Sequence, residues 1–158
     1  MIFNCDEIIS GRLWVGSCLR PEDVAILKRN GISVVVSLQS DRDISEYGIR
    51  VQKLLKALSE QNIELSRIPI EDFNKEDIAL HLSECVDAIE SALNPPDARV
   101  YLHCTAGINR APTAAAAYLV KAHGFSAQAA YDHIIERRYC RPFLDILEEY
   151  ARALSPRS

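Results

Sequence analysis

An α/β domain with a mainly parallel central sheet flanked by helices is the fold class this sequence predicts, on three observations. Strand-like and helix-like segments alternate along the chain, the order that builds a sheet with helical crossovers. The run Ile32-Ser-Val-Val-Val-Ser-Leu38 is short and β-branched, as expected of a strand buried on both faces. The 158 residues contain no low-complexity linker, repeat or sharp change in composition, which fits a single domain over 1–158 with its core at about 8–154. A chain of that length buries a core without help from disulfides or a structural metal.

Taken in order, Arg12-Leu-Trp-Val-Gly16 reads as a short first strand. Pro21–Asn30 reads as a helix, with proline near its start and Gly31 placed to stop it. Strand Ile32–Leu38 comes next, then a helical segment over Glu46–Glu60 carrying Val51, Leu54, Leu55 and Leu58 at helical spacing. Ile63–Ile70 returns to strand. Asn74-Lys-Glu-Asp77 resembles an N-cap before a helix reaching about Leu93, which Asn94-Pro-Pro-Asp97 breaks. Arg99–His103 is the next strand, and helical segments Ala111–His123, Ser126–Arg137 and Phe143–Leu154 complete the chain.

Lys and Arg total 18 against 22 Asp and Glu, a formal charge of −4, so no global attraction draws this chain to nucleic acid or an anionic membrane. The first ten residues are acidic and lack the basic and apolar regions of a secretory signal. The longest nearly apolar run, Ala111–Val120, is too short to span a bilayer. Five cysteines, odd in number and without a CxxC pair, read as reduced thiols. The expectation is a monomer in the cytoplasm, or in a soluble organelle interior after processing.

In open parallel sheets, ligands bind beyond the carboxyl ends of the strands. Directly after Tyr101-Leu102-His103 comes Cys104-Thr105-Ala106-Gly107-Ile108-Asn109-Arg110, a thiol and a guanidinium separated by five residues, with a helix beginning at once. A loop this short can wrap one tetrahedral oxyanion, its backbone N–H groups and the helix N-terminus forming a cradle. Gly107 permits positive φ, and Asn109 is the non-glycine type that best tolerates it. Backbone donors, the helix dipole and Arg110 together favour thiolate over thiol at Cys104. Arg110 can also grip two phosphate oxygens as a fork, which lysine cannot. The pattern points to in-line attack of sulfur on phosphorus.

With these residues in view, the sequence resembles the cysteine-dependent protein tyrosine phosphatase superfamily, whose signature is HCxxGxxR. It is most similar to the compact dual-specificity members, over most of the chain. Cys104 through Arg110-Ala-Pro112 resembles the starch-excess and laforin-type glucan phosphatases. Val15–Leu19 with Pro21–Val24, Leu38-Gln39 through Asp43 with Tyr47-Gly48, Glu71-Asp72-Phe73, and Cys140-x-Pro142 are similar to the plant members. The resemblance implies that Cys104 is the nucleophile, that Arg110 and loop residues 105–109 hold phosphate, and that His103 supports the loop and tunes the thiol. It also implies sugar contacts at Tyr47 and Phe73, with the alternative that Phe73 is a hydrophobic anchor for the acid loop. Three features depart from the pattern: Ala111 stands where many members have a hydroxyl, Asn109 replaces a glycine, and Glu46 and Arg141 occupy positions that are aromatic in glucan-binding members.

Hydrolysis also needs a proton donor for the leaving oxygen, later a base for water. Asp72 lies just after the strand Ile63–Ile70 at the loop's end of the sheet, and the resemblance places the general acid in Asp72-Phe73. Glu71 points elsewhere if strand alternation persists, and Asp77 caps the next helix. His81, His123 and His133 lack metal-site spacing, so neither metal nor other cofactor is expected. Glu136-Arg-Arg138 and Arg141 read as a solvated charged face, with the alternative that Arg141 lines the pocket and meets the anion. Cys18, Cys85 and Cys140 read as packed thiols. The expected activity is phosphomonoester hydrolysis through phosphocysteine, on phosphorylated glucan first. The alternative is a phosphoprotein substrate, and a silent phosphate- or glucan-binding module comes third.

Overall fold

The computed structural model describes residues 3–155. Its five-stranded sheet begins with β1 (Cys5–Ile9) and β2 (Leu13–Gly16), an antiparallel hairpin with a register shift between Glu7 and Ile9. The chain continues through a 3₁₀ turn (Pro21–Asp23), α1 (Val24–Arg29), β3 (Val34–Ser37), α2 (Asp41–Glu46), α3 (Val51–Glu60) and β4 (Glu64–Arg67). Then come α4 (Lys75–Leu93), β5 (Val100–His103), α5 (Arg110–His123), α6 (Ala127–Arg137) and α7 (Leu144–Leu154). Strand order is β1-β2-β5-β3-β4, and every pairing except β1 with β2 is parallel. The sheet is therefore mixed, but mainly parallel.

Alternation along the strands divides the core between the two faces. Val34, Val36, Val100 and Leu102 pack with α4–α7, whereas Val35, Tyr101 and Trp14 pack with Leu27, Leu54 and Leu58 of α1 and α3. The parallel registers also level the sheet's edge. Gly16 pairs with His103, His103 with Ser37, and Ser37 with Arg67, so the four strands end in one row. The segments that leave them emerge side by side at that edge. Three sequence-distant loops, 38–43, 68–73 and 104–109, thereby become neighbours.

The elements depart from the sequence expectations in four places. Strand β1 carries no sequence signal: it is an edge strand whose acidic Asp6 and Glu7 leave only Ile8 fully buried, so it shows no alternating pattern. The helix expected over Glu46–Glu60 is broken at Gly48, which sits at φ +60° between α2 and α3. The strand expected to reach Ile70 leaves the regular ladder after Arg67, because Pro69 has no N–H to offer. Ile68 and Ile70 still bond to Ser37 and Leu38 and stay buried, so the segment keeps its direction toward the site. The helix expected over Pro21–Asn30 opens as the 3₁₀ turn before α1.

Candidate active site

Cys104 leaves the central strand β5 and is 2% exposed. From there to Asn109 every backbone carbonyl is turned outward onto a donor from the surrounding protein. His103 Nδ1 bonds the Cys104 oxygen at 2.8 Å, which assigns the ring proton to Nδ1, since a carbonyl only accepts. Cys18 N donates to Thr105 O at 2.9 Å, and Arg138 donates to Ala106 O and Gly107 O at 3.1 and 2.8 Å. Arg141 N reaches Ile108 O at 2.7 Å, and Thr113 donates to Asn109 O through both its N–H and its hydroxyl. In a trans peptide the N–H points opposite to the carbonyl. Six outward carbonyls therefore turn the N–H groups of residues 105–110 to the inside of the loop, a concavity built for an anion.

Gly107 makes this curvature possible. It sits at φ +70°, and a Cβ there would fall 2.6 Å from both Gly16 O and Arg138 Nη2. Thr105 is held by a buried hydrogen bond from Gln39 Nε2 at 3.0 Å. Asn109 Nδ2 donates to Arg141 O at 2.8 Å, so its side chain braces the loop from outside. Arg141 is exposed and meets the loop through its backbone rather than its guanidinium.

Arg110 starts α5 and is buried at 2% exposure. Its Nη1 donates to Asp43 Oδ2 at 2.6 Å and to Ile70 O at 2.8 Å, and its Nη2 lies 3.2 Å from Asp72 Oδ2. Its Nε is buried without a hydrogen-bond partner among the described residues. A buried, unpartnered guanidinium donor beside an inward-facing set of amides is a donor array shaped for oxyanion oxygens. Asp43 also caps α2, accepting from Ser40 N at 3.0 Å while Ser40 Oγ accepts from Asp43 N. Burial by itself would raise the Asp43 carboxyl, but hydrogen bonds from Arg110 and Ser40 outweigh it and hold the group below its ordinary value.

His103 is also buried, which pushes it down to about 4, with Arg110 and Arg67 adding to the effect and the Cys104 carbonyl opposing it. A neutral imidazole there braces the loop and carries no mobile proton at neutral pH.

Beside the loop is a cleft of about 300 Å³ bordered by Arg42, Asp43, Glu46, Tyr47, Glu71, Asp72 and Phe73. Tyr47 is half-exposed, and Phe73 is 94% exposed at φ +58°. The Phe73 N–H donates to Asp72 Oδ1, which shapes the turn that presents both side chains. Glu71 shares the cleft because alternation ends with β4, contrary to the sequence expectation. The cap of α4 is Asn74; Asp77 takes the Glu71 N–H at 2.8 Å and so ties the 68–73 loop to that helix.

The structure thus brings Cys104, Arg110, Asp72, His103 and the 105–109 loop together, with Tyr47 and Phe73 on the adjoining cleft. Sequence reasoning misses three partners. Arg138, expected on a solvated face, is 4% exposed and joins the loop carbonyls to Asp6 and Asn4 of the N-terminal segment. Gln39 and Asp43 stand out in the sequence only as part of a stretch of resemblance. Neither the helix cap that Ser40 and Asp43 form nor the guanidinium that shares Asp43 is read from the sequence.

Residues 13–153 match the family described as dual specificity phosphatase, catalytic domain. The chain is 33% identical over 141 residues to phosphoglucan phosphatase DSP4, amyloplastic, of Castanea sativa, covering 88% of this chain and 38% of that protein. It is 29% identical over 135 residues to phosphoglucan phosphatase LSF1, chloroplastic, of Arabidopsis thaliana, covering 85% of this chain and 23% of that protein. The chain thus spans well under half the length of either relative. Among solved structures, human tyrosine phosphatase-like serine/threonine/tyrosine-interacting protein superposes with a TM-score of 0.77 at 23% identity, over 96% of this chain and 99% of that one. At that identity the likeness is one of fold.

Proposed function

The chain belongs to the dual specificity phosphatase catalytic-domain family, and from that premise we propose that it hydrolyses phosphomonoesters of glucans through a phosphocysteine intermediate. The observation that carries the phosphatase reading is the loop itself, with six outward carbonyls and the unpartnered Nε of Arg110. The Cys104 thiolate attacks phosphorus while the bond to the leaving oxygen breaks. Loop amides 105–110 and Arg110 hold the equatorial oxygens as charge develops. Asp72, protonated, gives its proton to the leaving oxygen. Its carboxylate then takes a proton from the water that attacks phosphocysteine, and cleavage of the P–S bond returns Cys104 thiolate and inorganic phosphate.

Glucan is supported by the two phosphoglucan phosphatases among the relatives and by the exposed rings of Tyr47 and Phe73 on the cleft. Aromatic faces present broad apolar area to a sugar ring at low entropic cost. The second reading is a phosphoprotein substrate, favoured by Glu46, which puts a charge on the cleft where the glucan-binding pattern has an aromatic ring. No described helix is long and apolar enough to cross a membrane. The reading makes the protein a monomer in the cytoplasm or an organelle interior, the latter being where the names of the two plant relatives place those proteins.

Phosphate release from phosphorylated amylopectin, a phosphopeptide panel and para-nitrophenyl phosphate tests both levels of the claim. Cys104→Ser abolishes turnover on all of them, and Asp72→Asn slows alkyl esters by about 10²–10⁴-fold. A glucan preference that Phe73→Ala removes, with aryl ester hydrolysis intact, supports the glucan cleft. Activity restricted to phosphopeptides and the aryl ester transfers the mechanism to phosphoprotein. An Asp72→Asn enzyme with full activity on alkyl phosphate refutes the acid assignment.

A further inference from the structure

We propose that Asp43 is a positioning residue for Arg110: by occupying Nη1 it turns the Nε–Nη2 edge of the guanidinium toward the phosphate site. The inference rests on the phosphatase reading and adds to it a residue outside the signature loop.

A guanidinium carries five N–H bonds, two on each terminal nitrogen and one on Nε. In Arg110 both hydrogens of Nη1 are accounted for, by Asp43 Oδ2 at 2.6 Å and Ile70 O at 2.8 Å. Left over are Nη2, 3.2 Å from Asp72 Oδ2, and the buried, unpartnered Nε. These two nitrogens share one edge of the plane, and their parallel N–H bonds form the fork that matches two oxygens of a phosphate.

The two carboxylates on Arg110 are not equivalent. The Asp72 side chain is 27% exposed, contacts one nitrogen and stands on a loop. Incoming phosphate can take its place on Nη2, leaving the carboxyl beside the leaving oxygen. The Asp43 side chain is 6% exposed, and its Oδ2 is shared between Arg110 and Ser40 N at the start of α2. Its Oδ2 already accepts from Arg110 Nη1 and Ser40 N, and those bonds hold the carboxyl in its ionised form, so it is poorly suited to deliver a proton in place of Asp72. Its charge offsets a buried guanidinium that would otherwise be paired only with the more exposed Asp72, the partner that incoming phosphate displaces. Asp43 therefore does two things at once: it neutralises Arg110 before substrate arrives and fixes the plane in which the fork opens. Because α2 runs on to Glu46 at the cleft wall, the same residue registers that wall against the phosphate loop.

Asp43→Asn, Asp43→Ala and Ser40→Ala, with Cys104→Ser as control, separate positioning from simple support of α2. Ser40→Ala removes the hydroxyl that caps the helix but leaves the Asp43–Arg110 pair. Steady-state kinetics on para-nitrophenyl phosphate and calorimetric binding of vanadate are measured below the lowest unfolding midpoint. Loss of a preset donor costs about 10²–10³-fold, and a donor present but misoriented costs less. We therefore expect kcat to fall about 10–100-fold in both Asp43 variants with KM changed less than about threefold, and vanadate affinity to fall in step with kcat/KM. Ser40→Ala unfolds earlier but keeps kcat within about twofold of wild type, as expected when only a cap is lost. Folded Asp43 variants with kcat within about twofold of wild type overturn the proposal, as does a Ser40→Ala loss as large as theirs. Vanadate binding keeps the two claims apart. A wild-type protein that binds vanadate yet releases no Cys104-dependent phosphate refutes the phosphatase reading, while weaker vanadate binding by Asp43→Asn still supports the role of Asp43.

Discussion

Lowering the pH from 7 to 4.5 loads a proton onto a histidine of the unfolded chain but not onto His103. The residue ends the central strand at 2% exposure, with its ring Nδ1 hydrogen-bonded to the Cys104 carbonyl. Burial pushes its pKa from 6.5 down to about 4. Between those values the unfolded state binds a proton that the folded state refuses, so stability is intact above pH 6.5 and is lost as pH falls toward 4. Each pH unit in that window costs about 1.4 kcal/mol, which over the 2.5-unit gap between 6.5 and 4 amounts to roughly 3 kcal/mol. For a chain of 158 residues that is a fall of roughly 6–12 °C in Tm. Asp43, whose carboxyl is held below 3.8, loses its contribution only at lower pH and leaves the window clean. The assay is urea unfolding at pH 7.0, 6.0, 5.0 and 4.5 for wild type and His103→Gln. The variant starts less stable at pH 7, having lost a fitted ring, but the gap between the two proteins narrows by about 2.5 kcal/mol by pH 4.5. Parallel profiles would show that His103 titrates normally and would refute its burial as a neutral brace behind Cys104.

Two further changes probe the loop directly. Gly107→Ala forces a Cβ to within 2.6 Å of the Gly16 carbonyl at a φ of +70°. It should lower kcat and vanadate affinity together and cost at least about 1–2 kcal/mol in urea unfolding from the backbone strain alone. Arg138→Ala strips the outward partner from Ala106 and Gly107 and leaves Asp6 without its buried cation. We expect a loss of about 3 kcal/mol and a depressed kcat, with Arg138→Lys recovering little, since one ammonium cannot make this planar set of bonds. An Arg138→Ala protein with wild-type stability would mean that the loop carbonyls need no such clamp.

How much of the molecule is legible in its sequence depends on whether the partners are close along the chain. The thiol, Gly107 and Arg110 lie within one strand–loop–helix unit, so the anion cradle can be read from seven consecutive residues. Asp72 can be reached because parallel strands end in one row, and a strand pointing at that edge delivers the residue after it to the site. The same logic misjudges Glu71, since it extends side-chain alternation past Pro69, where the ladder has already ended. β1 escapes for a related reason: an edge strand in contact with the core mainly through Ile8 carries little pattern.

The residues that hold the cradle in place are of another kind. Arg138 is separated from Gly107 by 31 positions and from Asp6 by 132, and Asp43 from Arg110 by 67. Each is a charged residue in a charged neighbourhood, for which solvent exposure is the ordinary outcome. Nothing local distinguishes the buried Arg138 from the exposed Arg137 beside it. Demand from elsewhere buries Arg138: a loop that turns six carbonyls outward must find six sets of donors, and an arginine can meet two of them and an aspartate together. The same reasoning works in reverse at Arg110. A guanidinium committed to an anion inside the protein needs a permanent counter-charge when no substrate is bound, and that charge must sit where it does not compete with the substrate. Asp43 meets both conditions, on the Nη1 side and anchored by a helix cap, while Asp72 meets only the first. The catalytic motif therefore predicts the existence of such partners, and only the fold reveals which residues they are.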